Sequence, residues 1–286
     1  TYAFAASAGA VTVTIGDGDA VWGTDADGAW STAANWTAAP LPGGPARFDD
    51  VITAPRTVTT AGQTASGLYF NNANAYTLGG SGLTLSSGAT LAVERGAHAV
   101  EAPLTLADSA AVTLAPGSAL TLGPLAGTAL TAQGDGTLTL ATAPALAALS
   151  LDVPQLSLGG SFTVSCPVAL ARTTTVAPAD ATSAALSGTL SGNAGLTKAG
   201  ASTLTLSGLN TYSGATRIDN GTLAVPHLAQ GGAPSAIGAA GGSAADLMIG
   251  PATFRYSGPA TAVQRGLTLA APQNRAAIIR TDEGSD

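Results

Sequence analysis

Short triplets of two apolar residues around a hydroxyl recur along the chain, among them Leu83-Thr84-Leu85, Leu104-Thr105-Leu106, Leu120-Thr121-Leu122, Leu138-Thr139-Leu140, Leu156-Ser157-Leu158, Leu204-Thr205-Leu206 and Leu267-Thr268-Leu269. Leu91-Ala92-Val93, Val112-Thr113-Leu114 and Leu223-Ala224-Val225 vary the theme. The period is two, so the outer residues of each triplet face one side of an extended chain and the central residue faces the other. Each triplet predicts a short strand with one buried face. Turns such as Ser86-Ser87-Gly88 and Ala115-Pro116-Gly117-Ser118 separate the triplets. Segments this short, punctuated by glycine and proline, leave no room for ordinary helices.

The spacing of the triplets fits two all-β architectures. A β-sandwich or jelly roll uses many short strands. A parallel coil of short strands stacks like residues over like residues, and the sameness of the triplets favours that arrangement. With about 20 residues per coil the chain would form on the order of a dozen coils and a rod about 60 Å long. The expected fold is an all-β, right-handed parallel β-helix.

The segment 190–225 reads LSGNAGLTKAGASTLTLSGLNTYSGATRIDNGTLAV. Its form, G-L-T-K-x-G-x-x-T-L-T-L-S-G-x-N-T-Y-S-G-x-T-x-I-x-x-G-T-L-x-V, resembles the passenger-associated β-strand repeat of bacterial autotransporters and related surface proteins. The likeness is strongest over 187–225 and weaker over 21–85 and 237–269. It implies a secreted or cell-surface β-solenoid. Autotransporters also carry a C-terminal membrane barrel of alternating strands with aromatic girdles. No segment here has that form, so the resemblance carries no inference of self-export through the outer membrane.

Composition narrows the class further. Charged residues make up 9% of the 286, against about 25% in an ordinary soluble domain. The surface must therefore be built from Thr, Ser, Asn, Gly and Ala. Mean hydropathy is +0.31 and net charge −7, a combination that argues for folding rather than disorder. Ten basic residues against seventeen acidic ones supply no positive field for phosphates, so nucleic acid is not an expected partner. No run of 18 apolar residues is present, so no transmembrane helix is expected. The small residues of Tyr2-Ala3-Phe4-Ala5-Ala6-Ser7-Ala8 resemble the region around a signal-peptidase site, as in an exported protein. A single cysteine, Cys166, has no internal disulfide partner and is expected as a buried, inert thiol.

Residues 1–50 differ in character, and 51–286 are read as the solenoid, with a Gly-rich loop or lid at 230–243. All three tryptophans, Trp22, Trp30 and Trp36, lie in the first part, followed by Pro40-Leu41-Pro42 and Ala46-Arg47-Phe48-Asp49. Large aromatics cover an exposed first rung efficiently, so an aromatic N-terminal cap is the physical reading. The functional alternative is a glycan platform, because indole faces stack on sugars. The apolar strands Val11-Thr12-Val13-Thr14-Ile15 and Ala277-Ile278-Ile279 are expected to meet across a head-to-tail joint, with Val11, Val13, Ile15, Ile278 and Ile279 at the interface.

Parallel β-helices also house polysaccharide-cleaving enzymes, so catalytic groups must be sought. Asp49-Asp50 is an adjacent carboxylate pair, and neighbours in a strand point to opposite faces. A polygalacturonase pattern expects Asn-Thr-Asp and Gly-His-Gly; here Asn210-Thr211-Tyr212 stands alone. The two histidines, His98 and His227, sit in no nucleophile motif and read as surface turn residues. Lys198, the sole lysine, reads as decorating a rung or blunting an edge. Asp17-Gly18-Asp19 and Asp25-Ala26-Asp27-Gly28 space carboxylates as calcium loops do, but lack the closing Glu and the nonapeptide of calcium β-rolls, and Asp-Gly turns explain them.

The sequence thus points to a non-catalytic extracellular structural solenoid without cofactor or metal. Its expected partners are further copies or further repeats, joined end to end into a fibre or surface layer. An adhesin stalk binding surface glycan through Trp22, Trp30 and Trp36 is the alternative, and a polysaccharide-active enzyme is third.

Overall fold

A computed structural model describes residues 2–7, 10–15, 20–38, 43–272 and 275–282, with backbone alone for 2–15. Nearly all regular structure is β, apart from a short 3-10 turn at Ala33–Asn35. Twelve strands, from Gly28–Ala29 to Thr268–Leu269, form one face of a solenoid. Ten strands from Ala20–Val21 to Leu190–Ser191 form a second, and six from Thr163–Val164 to Ile278–Thr281 form a third. Within these faces the strands pair in parallel, each with the strand one coil away. The architecture is the parallel solenoid, not the sandwich.

The register explains why the triplets look alike. Leu120 pairs with Leu138 and Leu138 with Leu156, while Thr121, Thr139 and Ser157 pair on the outside. The same interior column runs from His98 through Leu120, Leu138, Leu156, Val176, Lys198, Ile218 and Ile249 to Leu269. Rungs about 4.8 Å apart place each leucine directly on the last, so a slip of one residue would turn the whole apolar set outward. Leu83, Leu85, Leu91, Val93, Leu120, Leu122, Leu138, Leu140, Leu204 and Leu206 are all buried in one continuous core. Burial of each such side chain contributes about 1.5–3 kcal/mol.

Three departures from the simple triplet pattern follow from geometry. Leu83–Arg95 is one continuous strand rather than two, turning a corner so that its first part pairs with Leu104–Leu106 and its later part with Ser109–Leu114. Ala224, expected on the outside, is buried. Tyr2–Ser7 and Ala10–Ile15 form a separate antiparallel hairpin, with Tyr2 opposite Ile15 and Ser7 opposite Ala10. One edge of the Ala10–Ile15 strand is therefore already occupied by the chain itself. The side chains of Val11, Val13 and Ile15, expected at a head-to-tail joint, lie outside the described residues.

The aromatic cluster sits where the first coils begin. Trp22 bridges Trp36 in antiparallel fashion, and the Trp36 indole N–H donates to the Trp30 carbonyl at 2.8 Å. Trp22, Trp30 and Trp36 all pack around Phe48. Asp25 and Asp27 fasten this segment to the next coil. Asp25 accepts from the Thr53 N–H and hydroxyl and from Arg56, and Asp27 accepts from the Thr57 N–H. The Thr53 hydroxyl and amide hold the Asp25 carboxyl below the usual range.

Candidate functional site

The part of the chain with the most specific side-chain geometry is the repeat corner, 190–265. The ten-stranded face ends at Leu190–Ser191. Beyond it side-chain hydrogen bonds join scattered backbone ones, such as Thr211 N–H to the Leu190 carbonyl at 2.8 Å, in tying the coils together. Asn210 is fully buried; its Oδ1 accepts from the Leu190 N–H at 2.8 Å and its Nδ2 donates to the Ala236 carbonyl at 2.7 Å. Its own N–H and C=O exchange hydrogen bonds with Ser235 at 3.1 Å each. One asparagine thus supplies the donor and acceptor that a strand would have offered to the coils on either side.

Tyr212 and Thr216 complete this corner. The Thr216 hydroxyl donates to the Ile237 carbonyl at 3.2 Å, so the 2.6 Å contact between Tyr212 and Thr216 is a bond in which the phenol donates. Burial pushes the Tyr212 phenol well above its ordinary pKa. Gly238 has φ +79, and a Cβ there would lie 2.6 Å from the Tyr212 carbonyl oxygen. Only glycine permits that approach.

Asn210, Tyr212 and Thr216 hold an excursion of the chain, residues 226–246, between the strands Thr222–Val225 and Leu247–Ile249. The Gly-rich loop or lid expected at 230–243 lies within this strap, whose Ser235, Ala236, Ile237 and Ala240 are buried. Arg265 grips it from the following coil. Its Nε donates to the Ala229 carbonyl at 2.8 Å, and its Nη2 to the carbonyls of Gln230, Ala233 and Gly238 at 3.0–3.3 Å.

Lys198 is the largest correction to the sequence reading. It decorates nothing, being fully buried in the interior column between Val176 and Ile218. Its Nζ donates to the carbonyls of Ala199 and Gly200 at 2.7 Å and of Asn220 at 3.0 Å. Burial pulls its pKa down to about 8, while three carbonyl acceptors favour the ammonium form. It staples the turns of two successive coils.

The other candidates are dispersed. Trp22, Trp30 and Trp36 are 0, 4 and 6% exposed and present no open face to a sugar; they are core of the cap. Asp49 pairs with Arg47 and Asp50 with Arg95 at the surface. His98, expected in a surface turn, is 3% exposed, and His227 is half-buried with an unpartnered Nε2. Cys166 is buried and its thiol is pushed up by desolvation. Ile278 is half-buried, whereas Ile279 is 52% exposed. Asp17 and Asp19 lie outside the described residues. Among the described residues no group of three His, Cys, Asp or Glu side chains gathers as metal ligands, and no helix is long and apolar enough to cross a membrane.

A parallel solenoid whose regular rungs give way to a side-chain-latched corner defines a class of stacked β-repeat proteins. Within that class, residues 196–225 match the passenger-associated transport repeat, so the chain carries the autotransporter passenger repeat that the Gly195–Val225 motif resembles. It is also similar to the adhesin BmaC autotransporter of Brucella suis biovar 1 (strain 1330), 42% identical over 95 residues. That likeness covers 33% of this chain and 3% of the relative's length. No solved structure matches.

Proposed function

We propose that this chain is a non-catalytic extracellular rod segment of a bacterial surface passenger of the adhesin type. The observation that carries the reading is the unbroken stack of parallel coils that continues through a passenger-associated transport repeat. A continuous backbone ladder resists bending, and a hydroxyl-rich, weakly charged exterior limits nonspecific electrostatic attraction. Asp49 and Asp50 sit in surface ion pairs, Asp25 fastens the cap, and Lys198 is held by turn carbonyls. The likeness to a protein named an adhesin supports a surface role for the whole polypeptide.

A second reading, end-to-end association, has its own support. Leu267, Leu269 and Ile279 are 38, 58 and 52% exposed. Leu269 and Ile279 continue the interior columns of Ile249 and Phe254. A further rung, from more repeats of the same polypeptide or from a second copy, would bury them.

Electron microscopy with light scattering tests both readings. Stiff rods about 60 Å long are expected from the rung spacing, and flexible or globular particles would overturn the rod. If copies join through this rung, Ile279→Asp reduces assemblies to single rods. Assemblies that survive the substitution would exclude pairing there, and unchanging monomers at all concentrations would exclude a second copy as the partner.

A further inference from the structure

His98 ends a continuous stack of aromatic rings that begins in the tryptophan cluster. Phe48 stacks on Phe70 at 5.1 Å between centroids, and Phe70 on His98 at 4.9 Å. Tyr76 flanks both ends of that stack, against Phe48 at 5.2 Å and His98 at 5.9 Å. On the next coil His98 meets Leu120, where the leucine column starts. The imidazole therefore stands at the junction between cap and rod.

Both ring nitrogens are committed. Nδ1 accepts the Tyr76 backbone N–H at 3.0 Å, and Nε2 lies 2.8 Å from the Arg95 carbonyl, which can only accept. The ring is thus the neutral Nε2–H tautomer, and no other protonation state satisfies both partners. Gly96, at φ +88, lies beside the ring, and a Cβ there would come 1.9 Å from the Asn72 carbonyl oxygen and 3.0 Å from Nε2.

We propose that His98 is an acid-sensitive switch that releases the aromatic cap from the rod. A proton on Nδ1 removes the acceptor of the Tyr76 amide and places a cation between Phe70 and Leu120. Burial opposes the charged ring more strongly than the Arg95 and Asn72 carbonyls favour it; among the described residues no carboxylate is hydrogen-bonded to it. Tyr76 and Phe70 present rings, and Tyr69 lies beneath Arg47. Arg95 pairs with Asp50, Arg47 with both Asp49 and Glu94, and Glu101 is exposed beyond Val100. The strand Ala119–Leu122 contributes no titratable group.

Burial holds the imidazole below its ordinary pKa of 6.5. The unfolded chain therefore takes up a proton before the folded one does. The stability that His98 contributes is complete above pH 6.5 and is lost as pH falls from there through the folded value. The Asp25 carboxyl, which also fastens the cap, is held below 3.8 and lets go only at stronger acid.

The three tryptophans all lie in the cap, so their fluorescence reads the cap, whereas far-ultraviolet circular dichroism reads the whole rod. On acidification from pH 8 to 4 the tryptophan signal is expected to change while the strand signal stays. In His98→Phe and His98→Gln, which keep the stacking ring and the acceptor respectively, that transition is expected to move into the carboxylate range, about pH 4 or below. The same midpoint in wild type and His98→Gln would overturn the proposal. With two histidines in the chain, the imidazole resonances of the wild type give a readout that does not depend on the variants folding. A buried His98 titrating together with the fluorescence change supports the switch, and one titrating without it overturns the switch.

Discussion

Two stretches of this rod solve the same packing problem differently. Between Ala119 and Leu158 the interior column is leucine on leucine and the coils are joined by backbone hydrogen bonds between strands. Between Leu190 and Arg265 the ten-stranded face has ended while the other two faces continue, a long strap leaves the coil, and Asn210, Tyr212, Thr216, Lys198 and Arg265 add side-chain hydrogen bonds where that one face is missing. A backbone ladder makes few demands on side chains beyond inward apolar and outward small polar residues. An interrupted ladder demands particular donors and acceptors at particular positions. This is a physical reason for the recognisable repeat, 196–225, to fall in the second stretch.

The contrast can be broken most strongly at Asn210. Asn210→Ala leaves the Leu190 N–H and the Ala236 carbonyl buried and unpaired. The expected loss is about 2–4 kcal/mol from two such groups, read as a lower urea midpoint at constant slope. Limited proteolysis should then cut within 226–246 first.

Lys198 sharpens the comparison through pH. Its folded value of about 8 lies below the ordinary 10.5, so in that window the unfolded chain binds more protons than the folded one. Stability should rise as pH goes from 8 to 10.5, and Lys198→Met should abolish the rise. The buried Tyr212 phenol acts in the opposite sense near pH 10, so the mark of Lys198 is the difference between wild type and Lys198→Met, and identical profiles would mean that the three carbonyls fully offset the cost of burial. The smallest effect is expected in the regular stretch, where Thr139→Ala on the outer face should change stability by no more than about 0.5 kcal/mol, measured by the same urea titration.

Much of the first stretch was legible in the sequence, because period two and the Leu-Thr-Leu triplets encode strand and face together. The cap was legible for a similar reason, since three tryptophans in so small-residued a chain need a place to be buried. The roles of His98 and Lys198 were not. His98 read as a surface turn residue and Lys198 as decorating a rung or blunting an edge, and only the stacking register places them in the column shared by Leu120 and Ile218. Asn210 and Tyr212 stood out as motif letters, but their partners, Leu190, Ser235 and Ala236, lie on other coils. Arg265 carried no sequence signal at all, because its four acceptors are backbone carbonyls of the strap.

Native-state hydrogen exchange, residue by residue, tests most directly the claim that side chains help tie the coils together at the repeat corner. The Leu190 amide, whose acceptor is the Asn210 side chain, should be protected comparably to Leu138 in the wild type. In Asn210→Ala that protection should fall together with protection of Ser235, while Ala119–Leu158 exchanges as before. Undiminished protection of Leu190 in the variant would contradict the account, as would a uniform loss along the whole rod.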